Sequence, residues 1–307
     1  MFSRMPPAVF PSIIGLLGLG LTLRYGAVVV GMPVGLAEAL LGAVSVLWLF
    51  SFGAYLSKVI RRPAVLIEEL RVLPGRAGLA TMTLCALVFA MVLVPYSPGL
   101  AEVVAYIGLA LHGALAVLMV LQIVARPEVM GGVTPVWHLN FVGFVIGGIA
   151  ASLCGLPVLA LVILCLTVPA ATVIWAISLG QLLRNRPPAP LRPMLAIHLS
   201  PAALFAVLAM KLGMPDLAQG FVILGGAIFI ALLLSVRWVT EAGFSALWGS
   251  FTFPLAAFSG ALFAVGWNLP AIMVLMLALA VVPFVAIRVF KSWASGALAA
   301  RTNAAQA

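Results

Sequence analysis

The stretch "SALWGSFTFPLAAFSGALFAVGW", residues 245–267, is apolar enough to lie in lipid, yet a proline stands in its middle with a phenylalanine directly before it. An uncharged run of this length reads as a membrane-crossing helix. The whole chain supports that reading: its 307 residues are 65% hydrophobic and 7% charged, and its mean hydropathy of +1.28 lies far above that of a water-soluble domain. Membrane strands alternate apolar and polar residues, whereas this sequence has continuous apolar runs of about 20 residues, so the spans are helices and a barrel is excluded. After Arg4 the chain runs through Met5, Pro6 and Pro7 into the first apolar run without a small-residue cleavage site, and the first helix is expected to be retained.

Short charged or Pro/Gly-rich breaks divide the sequence into ten apolar segments, predicting an all-α integral membrane protein of five helical hairpins. The expected spans are 6–24, 34–58, 77–95, 99–124, 136–154, 156–182, 194–213, 216–238, 245–266 and 268–290. They form a single transmembrane domain, with 291–307 as a short cytoplasmic tail. Fourteen of the sixteen lysines and arginines then fall on one side: Arg4, Lys58, Arg61, Arg62, Arg71, Arg76, Arg126, Arg184, Arg186, Arg192, Arg237, Arg288, Lys291 and Arg301. Only Arg24 and Lys211 fall on the other. Basic residues collect in cytoplasmic loops, so both termini are expected in the cytoplasm. The net charge of +9 is accounted for in the same way, and no nucleic-acid partner is expected.

The odd-numbered segments carry prolines and glycines. The first begins "FPSIIGLLGLG" with Pro11, Gly15 and Gly18; the fifth reads "NFVGFVIGGIAA" with Gly143 and Gly147; the seventh carries "HLSPAALFAV" with Ser200 and Pro201; the ninth carries Phe253-Pro254. The third is the weakest case. Even segments such as "LPVLALVILCLTVPAATVIWAISL" are bulkier. The expected architecture is an inner ring of odd helices within an outer ring of even ones facing lipid. A stripe of small residues either packs helices closely or lines a narrow bore, and its recurrence on several odd helices favours the bore.

The chemistry of catalysis is missing from the spans. Glu68, Glu69, Glu128 and Glu241 fall in loops on the basic side, and Glu38, Glu102 and Asp216 at helix ends on the other. No enzyme, no cofactor and no metal is expected, and a cation pore, which would carry acidic rings, is disfavoured. Cys85, Cys154 and Cys165 lie in apolar runs without a ligand spacing. Of the histidines, His112 reads as packing in an even helix. His138 with Asn140, and His198 with Ser200, either offer hydrogen bonds to a passing anion or cap helix starts.

On the ninth segment Gly249, Phe253, Ala256 or Ala257, and Gly260 share one helical face, so one large ring projects from a small-residue stripe. Pro254 removes a backbone donor and bends the helix at that level, fixing the aim of the ring. Phe253 is either the plug of the bore or a core aromatic between helices, whereas Phe251 and Phe258 point elsewhere and read as packing.

Together, "PPAVFPSIIGLLGLGL", the basic-loop "EELRVLPGR", "TPVWHLNFVGFVIGG", "HLSPAALFAV" and "LWGSFTFPLAAFSGA" resemble the tellurite-resistance/dicarboxylate transporter family. That family includes the bacterial TehA proteins and the plant slow-type guard-cell anion channels. The resemblance runs from Pro6 to Arg288, and its most specific element is W-x-x-x-x-F-P, from Trp248 to Pro254. It implies a homotrimer in the lipid bilayer, each protomer with its own pore lined by odd helices and closed by a helix-nine phenylalanine, here Phe253. Asn140 stands where many relatives have a proline, beside a more polar residue than expected, His138. The function so implied is a channel for small inorganic or carboxylate anions; the alternative is a secondary carrier exporting C4-dicarboxylates or oxyanions such as tellurite.

Overall fold

The computed structural model describes residues 4–31 and 33–307, and every regular element among them is helical. Ten helices form the bundle: α1 (Phe10–Val30), α2 (Val34–Arg61), α3 (Leu73–Leu93), α4 (Pro98–Ala125), α5 (Phe144–Leu153), α6 (Pro157–Arg184), α7 (Leu199–Lys211), α8 (Pro215–Leu234), α9 (Thr252–Ala264) and α10 (Asn268–Ala294). Among the described residues nine helical stretches are long and apolar enough to cross a membrane. The tenth expected span is the shorter apolar helix His138–Leu153. Its length is set by Pro135, which stands just before it, and by Gly155, which ends it in the left-handed region at φ 79°.

The turns that close the hairpins follow from local chemistry. After α5, α7 and α9 the chain passes through Gly155, Gly213 and Gly266, all with φ of 73–80°. In each turn the next N–H reaches back five residues: Leu156 to Ala151, Met214 to Ala209 and Trp267 to Leu262, each at 2.9 Å. This satisfies the last carbonyls of one helix, and the following residue, Pro157, Pro215 or Asn268, opens the next.

Within each pair, α1/α2, α3/α4, α5/α6, α7/α8 and α9/α10 pack against each other. The odd members also meet in sequence, α1 on α3, α3 on α5, α5 on α7, α7 on α9 and α9 back on α1, so they close a five-membered ring. Because every hairpin reverses direction, the five inner helices are parallel and all enter from the same end. Burial separates the layers. The apolar stretches ending in α3 and α7 are 83% buried, whereas those of the even helices are 17–39% buried and present Leu36, Val46, Leu166 and Leu269 outward, the composition lipid requires.

The end from which the inner helices start is tied together by an ion pair. Lys58, the last residue of the second expected span, lies inside α2, which runs on to Arg61, and is fully buried. Its Nζ donates to Glu69 Oε1 at 2.7 Å and to the Met5 carbonyl at 3.0 Å. Glu69 belongs to the short helix Ala64–Arg71, and its Oε1 also accepts the Ala305 N–H at 3.1 Å. Residues 291–307 therefore fold back onto the bundle: Leu298 and Thr302 are buried, and Arg62 bonds both the Gln306 carbonyl and Glu68. At the opposite end Arg24 forms a two-pronged pair with Glu38, at 2.6 and 2.7 Å.

Candidate functional site

At the shared starting end four of the five inner helices, all but α3, are not yet α-helical. Pro7–Val9 is a 3-10 turn before α1, His138–Val142 a π turn before α5, Ala189–His198 a 3-10 segment before α7, and Ala246–Phe251 a 3-10 turn before α9. Pro201 and Pro254 thus stand in the first α-helical turns after these segments rather than in the middle of a kinked rod. Changes of helical register release carbonyls from the regular ladder, and at membrane depth such backbone survives where it is enclosed by protein or lines a cavity.

A cavity of about 50 Å³, room for a few water molecules, lies among these turns. All five inner helices contribute: Pro11 and Ile14; Ala77, Thr81 and Leu84; His138 to Ile146 in part; Ile197, Ser200, Pro201 and Leu204; and Gly249, Ser250, Phe253 and Pro254. The wall is mainly apolar, and none of its residues is an aspartate, glutamate, lysine or arginine. Arg76, one residue before the lining Ala77, is buried, donating to the carbonyls of Leu70 at 3.0 Å and Met130 at 3.2 Å.

Phe253 is 8% exposed, with its ring laid against α1. A Cβ built on Gly18 would stand 2.9 Å from Phe253 Cδ2, and one on Gly15 would stand 2.2 Å from Thr252 Oγ1. Those distances admit only hydrogen at both positions. Two hydroxyls fasten the seam: Thr252 Oγ1 is 2.9 Å from the Pro11 carbonyl and 2.7 Å from that of Gly249, and Thr22 donates to the Ala256 carbonyl at 2.8 Å. Pro254, lacking an N–H, cannot close an i to i−4 bond to the carbonyl of Ser250, a residue of the cavity wall.

Of the residues singled out in the sequence, Pro11, Gly143, Ser200, Pro201, Gly249, Phe253, Pro254 and His138 meet at this cavity. Gly15 and Gly18 lie behind Phe253 in the α1–α9 seam. Gly147 faces α4, where a Cβ would stand 2.4 Å from Leu109 Cδ2. Ala256 is fully buried beside Gly18, and Ala257 and Gly260 lie farther along α9, partly exposed. Asn140 is buried and turns back to donate to the Val136 carbonyl at 3.0 Å. His198 does not line the cavity but lies 2.9 Å from His138, ring nitrogen to ring nitrogen. The α3 wall, Ala77, Thr81 and Leu84, was not anticipated; the i, i+4 spacing of the small residues Ala77 and Thr81 was its available signal.

Five parallel inner helices around an uncharged cavity, sheathed by lipid-facing partners, define a multi-pass membrane protein. The chain matches the SLAC1 family, voltage-dependent anion channels, over residues 4–290, and it belongs to that family. Anion transport is the general function that goes with it. Comparison with curated proteins gives no match.

Proposed function

We propose that the chain is a channel for small anions, gated by Phe253, in a bacterial inner membrane with both termini in the cytoplasm. The observation that carries this is the common direction of the five inner helices. Their N-terminal halves surround the cavity, so the positive ends of five helix dipoles favour an anion there. With no fixed charge on the wall, passage depends on shedding part of the hydration shell, which favours weakly hydrated monovalent anions. A carrier of C4-dicarboxylates or tellurite-like oxyanions fits less well, because the wall offers no pair of cationic side chains to grip a doubly charged ion.

Phe253 is the large ring of the helix-nine wall, and Gly18 and Pro254 set its position. Pro11, Gly143, Ser200, Pro201 and Gly249 line the path on the cytoplasmic side of it; Gly15, Gly18 and Gly147 let the helices close around it; Ala256, Ala257 and Gly260 continue it beyond. His138 is its polar contact, with His198 bonded to it from outside the cavity and Asn140 held on the Val136 carbonyl. The protein assembles as a homotrimer with one pore per protomer, and a detergent-corrected mass of one or two chains would remove that assembly.

The gate is tested by Phe253→Ala in proteoliposomes. Nitrate and chloride flux should rise strongly while the protein keeps its elution volume and thermal stability, because truncation at a cavity wall opens space to water. A core Phe→Ala instead costs about 3–5 kcal/mol. Loss of stability with flux at the wild-type level would make Phe253 a packing residue.

A further inference from the structure

His138 and His198, sixty positions apart in the sequence, meet where the π turn before α5 faces the 3-10 segment before α7. His138 Nε2 and His198 Nδ1 are 2.9 Å apart, with ring centroids 5.0 Å apart and planes at 87°. His138 is 2% exposed and lines the cavity. The two outer nitrogens, His138 Nδ1 and His198 Nε2, are buried and have no hydrogen-bond partner among the described residues. The indole of Trp175 on α6 holds the pair from behind, donating to the His198 carbonyl at 3.1 Å with its ring 5.5 Å from that of His138.

We infer that this pair is a proton-linked anion site, so that anion admission to the cavity is controlled by a proton. The inference rests on the anion-pathway reading and adds its regulation. A neutral pair holds two ring protons on four nitrogens. One proton occupies the bond between the rings; the other sits at one outer end and leaves the opposite outer nitrogen a bare lone pair. A third proton makes both outer nitrogens donors and gives the pair one positive charge. Among the described residues no carboxylate lines the cavity it faces. The walls from α1, α3, α7 and α9 bring apolar and hydroxyl side chains, and α6 brings Trp175. On α4, His112 is engaged by Thr83 at 2.8 Å and by the Phe144 ring. The nearest formal charge on α3 is another cation, Arg76, held by backbone carbonyls. A buried imidazolium without a counter-charge is costly, so the partner that balances it is an anion in the cavity. By linkage, the anion then strengthens proton binding as much as the proton strengthens anion binding.

Purified full-length protein in proteoliposomes, assayed for nitrate flux as the bath goes from about pH 8 to pH 5, tests this: burial works against charging the pair, and a bound anion must bring it back into this range, where a free imidazole titrates. Wild-type flux should rise several-fold toward acid pH. His138→Gln and His198→Gln should each flatten the profile, whatever level of flux they retain. Folded variants that keep the wild-type pH dependence would overturn the proton site. If Phe253→Ala vesicles conduct nitrate with no pH dependence, the anion path stands and the proton site falls; if neither wild type nor Phe253→Ala passes nitrate at any pH, both fall. Should the histidine variants not fold, the wild type alone decides: adding nitrate to weakly buffered protein near pH 6.5 should draw protons from solution, and no uptake would refute the linkage.

Discussion

The ring of Phe253 rests on Gly18: a Cβ at Gly18 would lie 2.9 Å from Cδ2 and 3.1 Å from Cε2 of the phenylalanine. One side of the ring is therefore seated on the bare backbone of α1, while Phe253 and Pro254 also face the cavity. The absence of a side chain on one helix sets the position of the side chain on another. Gly18→Val should cost about 1–3 kcal/mol in the wild-type background, the range for overpacking a filled site. In a Phe253→Ala background the added methyls have room, and the penalty should shrink substantially. Thermal unfolding of the four proteins in detergent closes the double-mutant cycle. Equal penalties in both backgrounds would show that the ring is not seated on Gly18.

Lys58 and Glu69 supply a second test. Their side chains are 0% and 1% exposed, and the pair joins α2, the N-terminal segment at Met5 and the C-terminal residues at Ala305. Removing one partner of a buried pair costs about 3–5 kcal/mol because the other charge is left uncompensated, and Lys58→Met should fall in that range. The Lys58→Met/Glu69→Leu double variant should recover most of it. Burial holds the Glu69 carboxyl above the usual carboxylate range, with Lys58 opposing that rise. Without Lys58 the rise is larger and the folded protein binds the proton more tightly than the unfolded chain, so stability falls as pH increases. The defect in Lys58→Met should be milder near pH 5 than at pH 8, and a defect that does not change with pH would contradict a stranded carboxylate.

Lys58 also shows where sequence reading stops. A lysine at the end of an apolar run marks a loop in any hydropathy profile, because the profile cannot register a carboxylate eleven residues on or a backbone N–H near the other end of the chain. The hairpins were legible, since Gly155, Gly213 and Gly266 punctuate the runs by local chemistry. Phe253-Pro254 was legible as a conspicuous pair, although its place in the first α turn after a 3-10 segment was not, because proline is equally at home at a kink and at a helix start. The α3 wall was obscured because the one proline of that helix, Pro74, stands in its first turn, where it marks a helix start rather than a bend. The contact between His138 and His198 depends on the ring closing α5 onto α7, and no periodicity within either segment encodes it.

Gly225 and Gly226 on α8 are adjacent in sequence and opposite in consequence. A Cβ on Gly225 would meet Phe258 Cε2 at 2.8 Å, whereas one on Gly226 has nothing within 4 Å. Phe258 is 2% exposed and stacks on Phe229 with centroids 5.4 Å apart, so its ring has little freedom to retreat. Gly225→Ala should lower the unfolding temperature. Gly226→Ala should be neutral or stabilising, by up to roughly 0.5–1 kcal/mol from the helical preference of alanine over glycine. Neither change touches the cavity wall, so nitrate flux per folded protein should stay at the wild-type level. Similar stability in both variants would mean that Phe258 does not pack against α8 as described.

Orientation in the membrane is the last quantity the charges predict. The end of the bundle from which the inner helices start holds Lys58, Arg62, Arg76, Arg192 and Arg288, together with the N-terminal segment and residues 291–307. The opposite end holds Arg24 and Lys211, and Arg24 is neutralised there by Glu38. Cationic loops are retained on the cytoplasmic side during insertion. Reporter fusions after Arg186 and at Ala307 should therefore report cytoplasm, and fusions after Pro98 and Asp216 the outside. Arg76 is a poor fusion point, since its guanidinium is buried between Leu70 and Met130. The orientation also governs the proton test, because the cavity and His138 lie toward the starting end of the inner helices: acid on the cytoplasmic face should stimulate flux more than acid outside. An external C-terminal reporter would reverse the assignment, place the mouth of the cavity outside, and exchange the two faces in that experiment.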